Sequence, residues 1–96
     1  MKPLLHTAAN GHLMICFEDQ ASTAWFVAQN YLELNLGFAR SGQAIIGAGE
    51  GIYPSFSRGQ VEISAGWDTW SGDYLLASCW AGDEVLRQVF ACVNPH

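Results

Sequence analysis

Hydrophobic and polar positions alternate in short runs over most of this chain, and a helical period emerges only near the C-terminus. Leu4 to Ala8 and Leu13 to Phe17 flank Asn10-Gly11, a pair that tolerates the positive φ of a type I′ hairpin, so two short strands about a turn are predicted. Glu18 to Ser22 is polar and interrupts the pattern, and Ala21 to Asn30 fits either a short helix or a strand. Tyr31 to Phe38 alternates cleanly. Leu32, Leu34, Leu36 and Phe38 fall on one side and Glu33, Asn35 and Gly37 on the other, the period of a strand with one buried face. Arg40 to Gly42 reads as a turn, Gln43 to Gly47 as a candidate short strand, and Gly47 to Gly59 as a Gly-rich loop containing Tyr53-Pro54 and Phe56. Val61, Ile63 and Ala65 alternate with Glu62 and Ser64. Tyr74 to Trp80 supplies an antiparallel partner beyond the connection from Trp67 to Asp73.

Beyond this hairpin the period lengthens. Val85, Leu86, Val89, Phe90 and Val93 share one helical face, Asp83 is placed to cap the first turn, and Asn94-Pro95 ends the run because proline cannot continue the ladder. Short alternating runs followed by one amphipathic helix predict an α+β fold: a mainly antiparallel sheet of four to six strands with the C-terminal helix packed on one face. Ninety-six residues suit a single domain spanning 1–96, and no internal repeat or linker divides it.

Charge changes the picture more than composition does. Between Gly59 and Leu86 lie Glu62, Asp68, Asp73, Asp83 and Glu84, with no Lys, Arg or His and with Trp67, Trp70 and Trp80. The other acids, Glu18, Asp19, Glu33 and Glu50, are matched in number by Lys2, Arg40, Arg58 and Arg87, so the net charge of −5 belongs to that stretch. An acidic, aromatic surface suits a basic protein and disfavours nucleic acid and anionic lipid. Three Cys without a CxxC pair argue against a disulfide framework and for a reducing compartment, the cytoplasm by default. The N-terminal run is too short and interrupted for a signal peptide, and no run spans a bilayer.

Candidate chemistry is sparse. Gly47-Ala48-Gly49 opens like a dinucleotide-binding turn, but the third glycine position is Ile52 and Pro54 prevents a clean helix start. Cys16 or Cys79 with His6 or His12 supplies the residue types of a nucleophile and base, yet the thiols lie in apolar stretches where burial suppresses ionisation. No Cys/His spacing forms a metal site. Asp68 and Asp73 beside Trp67 and Trp70 resemble a sugar-cleaving carboxylate pair, but Ser71-Gly72-Asp73 is ordinary turn chemistry. The expectation is therefore a non-enzymatic protein with no cofactor and no metal. Each Trp in the acidic stretch fits core and interface alike.

The phrase from Val61 through Trp67-Asp-Thr-Trp70 to Leu76, continued by Gly82-Asp-Glu-Val-Leu86, resembles small immunity proteins of bacterial contact-dependent inhibition and related polymorphic toxin systems. The resemblance implies a compact, cytosolic inhibitor, in such families often acidic, that neutralises a cognate toxin domain, frequently a nuclease, by covering its active site or an adjacent surface; the acidic stretch of this chain points to a basic one. From the acid and aromatic pattern, Asp68 and Asp73 are expected to meet Lys or Arg of that partner, Trp70 and Tyr53 to fill apolar gaps, and Glu50 and Asp83 to form the rim. The alternative is a small-ligand or carbohydrate-binding module built on the Gly47 to Gly59 loop and the tryptophans. A homo-oligomeric or enzyme-subunit role is a third class, marked by an apolar exposed sheet face.

Overall fold

The computed structural model describes residues 3–94, so Lys2 and the expected helix stop at Pro95 lie outside the described residues. The α+β expectation holds. Seven strands, β1 (Leu4–Thr7), β2 (Leu13–Cys16), β3 (Ala39–Ser41), β4 (Ile45–Ile46), β5 (Glu50–Arg58), β6 (Val61–Asp68) and β7 (Gly72–Ala77), form one antiparallel sheet. Its order is β1-β2-β7-β6-β5-β3, with β4 sharing the β5 edge. Helices α1 (Thr23–Asn30) and α2 (Trp80–Val93) cover one face of it. No described helix is long and apolar enough to cross a membrane.

The predicted first hairpin is present: Asn10 accepts from the His12 amide at 2.9 Å, and Gly11 turns at φ 83°. The helix α2 is also present, with Val85, Leu86 and Val89 buried against the sheet, each worth about 2 kcal/mol of apolar burial. Its start differs. Cys79, not Asp83, is the N-cap: its Sγ accepts from the Gly82 amide, and the helix takes in Trp80, which the alternation had placed in a strand.

Two further expectations are corrected. Tyr31 to Phe38 is not a strand: α1 runs on into a π-helical turn over Tyr31–Asn35. Trp25, Ala28 and Leu32, spaced three and four apart, are buried, whereas Leu34 projects into solvent. Ser22 caps the start through the Trp25 amide at 3.1 Å, and Gly37 at φ 73° lets the Phe38 amide return to the Leu32 carbonyl at 2.9 Å. Gly47 to Gly59 is not a loop either. It forms the β4–β5 turn and then β5, the longest strand, paired with β6 throughout except at a bulge between Tyr53 and Phe56. Pro54 sits in that bulge and in the gap between the β3 and β4 pairings, so its missing N–H interrupts no ladder.

Side chains on the covered face make one core of Ile15, Phe17, Trp25, Leu32, Phe56, Ile63, Leu75 and their neighbours. Close approach is possible because Gly51 has no side chain: a Cβ there would stand 2.2 Å from Nε1 of Trp67, which lies across the strand.

Candidate protein-interaction surface

The structure divides the expected contact residues into internal braces and surface groups. Asp73 and Asp83 are corrections, because both are buried, at 0% and 2% exposure, and are spent inside the fold. The Asp73 carboxylate accepts from the Ala21 amide and from the Tyr53 hydroxyl, each at 2.7 Å, so Tyr53 also faces inward. This bracing holds the Glu18 to Ser22 connection, where Glu18 and Ala21 adopt positive φ. Burial pushes the Tyr53 phenol far above its ordinary value, and the Asp73 carboxylate it donates to pushes it further. Asp83 accepts from the Leu13 amide at 2.8 Å and from His12 Nδ1 at 3.0 Å, tying α2 to β2. Burial raises its carboxyl, but the Leu13 amide, the His12 ring and Arg87 together outweigh that and hold it below the usual carboxylate value.

Glu50, Asp68 and Trp70 remain at the surface, and the structure brings them together. Glu50 lies directly opposite Asp68 at one end of the β5–β6 ladder. Asp68 caps the following turn by accepting from the Trp70 and Ser71 amides, which fixes Trp70 at the tip with 92% of its surface exposed. No described cation neutralises Glu50 or Asp68. Arg40 is bidentate to Glu33, Arg87 pairs with Glu84, and Arg58 donates to the Leu36 carbonyl, so the three arginines are all engaged elsewhere. Burial first, and then the fields of Asp68 and Glu50, push the Tyr74 phenol above its ordinary value.

This acidic corner belongs to the face of the sheet that carries no helix. The strand registers place Leu4, Cys16, Tyr74, Gly66, Ile52 and Ile45 side by side in one row across six strands. Leu4, Ile52 and Ile45 are 53%, 50% and 62% exposed, and Tyr74 lies over Gly66, where a Cβ would meet its hydroxyl at 2.7 Å. Two residues along the strands, on one flank, the next row contains Gly72, Asp68 and Glu50, with the Glu18 backbone packed against Gly72. The other flank carries His6, Met14, Leu76 and Ser64, and Glu62 stands a further row away.

Residues noted for other chemistry are not assembled for it. His6 Nε2 lies 3.1 Å from Cys16 Sγ, but burial first, then Asp68 and Glu18, raise that thiol against a lowering hydrogen bond from Ser71, the reverse of what a nucleophile needs. Cys79 caps α2 and Cys92 is exposed, and all three thiols are free. No group of three metal-ligating side chains occurs among the described residues. The tryptophans do not converge on one pocket: Trp67 covers Gly51, Trp70 tips a turn, and Trp80 meets the edge of His12 at 5.1 Å between centroids. A cleft of about 210 Å³ between α1 and β5, lined by Trp25, Gln29, Arg40, Tyr53 and Phe56, is below the ~300 Å³ typical of ligand pockets. The sequence contained a signal for the bare face, alternation in β1, β2 and β7 with apolar residues on both sides, but not for which strands adjoin. Comparison with protein-family models, curated proteins and solved structures gives no match.

Proposed function

We propose that this protein is a non-catalytic inhibitor that binds a basic protein, a bacterial toxin domain in the reading that the Val61 to Leu86 resemblance suggests, and blocks it by occlusion in the cytoplasm. The observation carrying this reading is the corner of Glu50, Asp68 and Trp70. Two surface carboxylates have no cation paired to them among the described residues, and they lie beside an indole that the fold holds out and does not bury. Carboxylates in this setting attract Lys and Arg, which in a nuclease hold phosphate, and a rigid indole supplies contact area at little entropic cost.

The test is a stoichiometric mixture of this protein with a toxin domain encoded beside it, followed by assay of that domain's nuclease activity. Equimolar protein is expected to abolish cleavage, and Trp70→Ala to weaken the complex at least tenfold, the scale of a central aromatic contact. Undiminished cleavage with no complex on gel filtration contradicts the reading.

A further inference from the structure

The bare sheet face also specifies what the partner must present to it, an inference that rests on the inhibitor reading and deepens it. We infer that the apolar row from Leu4 through Tyr74 to Ile45 is the seat of a partner α-helix whose Lys and Arg lie along one flank only, the flank that meets Asp68 and Glu50. Three properties of this face lead there.

The first is backbone chemistry. An extended segment laid flat on a sheet face would bury its own N–H and C=O groups with nothing to pair them, whereas a helix satisfies them internally. The second is size. Six strands at ~4.8 Å spacing make the row about 24 Å long, the length of a helix of about 16 residues. The third is one-sided charge. Asp68 and Glu50 adjoin the row on one flank, while His6, Met14, Leu76 and Ser64 adjoin it on the other. A helix with cations on both sides of its apolar stripe gains on one side only, and an acidic helix is repelled. Tyr74 forms the centre of the seat, its ring lying over Gly66, where a Cβ would stand 2.7 Å from the hydroxyl.

Methyl and amide NMR of the intact protein tests this with three synthetic 18-residue amphipathic peptides: leucine-striped with lysines on one flank of the stripe, the same with those lysines moved to the side of the helix opposite the leucines, and the first with glutamates in place of lysines. The expected result is shifts at Leu4, Met14, Ile45, Ile52 and Leu76 with the flank-lysine peptide, at least tenfold weaker binding by the peptide whose lysines face away from the sheet, and none by the glutamate peptide. Ile45→Asp with Ile52→Asp should abolish binding, and amide dispersion shows whether that variant keeps its fold. Ile52→Lys serves as a second, single substitution on an already exposed site, and should weaken the same peptide at least tenfold. Absent binding, equal binding by both lysine peptides, shifts confined to Phe26, Val27 and Leu34 on the helical side, or self-association that closes Leu4, Ile45 and Ile52 against a second copy as protein concentration is raised would overturn the inference. The inhibitor reading is judged separately: a toxin domain that binds with Trp70 protected but this face still open to exchange overturns the helix seat and leaves inhibition standing.

Discussion

Asp73 joins three separated pieces of chain through one carboxylate: its own strand, the Ala21 amide and the Tyr53 hydroxyl. Tyr53→Phe leaves one of its oxygens without a donor and is expected to cost about 1–3 kcal/mol in urea unfolding, and Asp73→Ala strands both donors and should cost more than that. The two substitutions should be markedly non-additive, since they share one bond. Asp83 gives a pH signature. Its carboxyl is held below its ordinary value of 3.8 in the folded protein, so the unfolded chain takes up the proton first. Its contribution is complete above pH 3.8 and is lost as pH falls through the folded value; Asp83→Asn should flatten the acid limb of a stability profile measured by denaturant titration. These roles were not legible in the sequence for a physical reason. Ser71-Gly72-Asp73 read as a turn, but Gly72 and Asp73 already belong to β7, and the partners of Asp73 and Asp83 stand 20 to 71 residues away. A count of charges carries no information on which carboxylates find donors, and those that do can be buried.

At the scale of elements, β5 and α1 show tertiary context overriding local pattern. Glycines and a proline made Gly47 to Gly59 look like a loop, yet Gly51 is there to admit Trp67, and Pro54 falls where no ladder bond is due. Gly51→Ala places a methyl against that indole and should destabilise the protein by about 1–3 kcal/mol, with altered Trp emission, whereas a loop glycine would show neither. The Leu32 to Phe38 alternation matched a strand by coincidence. Leu34 is exposed, and the informative spacing was Trp25, Ala28 and Leu32 behind the Ser22 cap, a helical signal that ran into the alternating segment and was masked by it. The first hairpin and the core-facing stripe of α2 were legible because their determinants, Asn10-Gly11 and the three-four spacing of Val85, Leu86 and Val89, are local.

The molecule as a whole is a two-layer domain whose helices shield one side of the sheet and leave the other open, with the carboxylates of Glu50 and Asp68 along one margin and no cation of the described residues paired to them. This narrows the surface through which a basic partner can be recognised, from the entire acidic stretch to the corner of Glu50, Asp68 and Trp70 and the apolar row beside it. Two buried acids drop out of that surface. The neutral variant Glu50→Gln with Asp68→Asn separates charge from structure, because the carboxamide oxygen so introduced can still accept the turn amides that Asp68 accepts now. The most direct test is the association rate of this variant and of the unaltered protein with the proposed basic partner, followed by stopped-flow fluorescence at low and high salt. Steering by the two carboxylates predicts association about tenfold slower for the variant at low ionic strength, with the two rates converging as salt is raised. Equal rates at every salt concentration would contradict it.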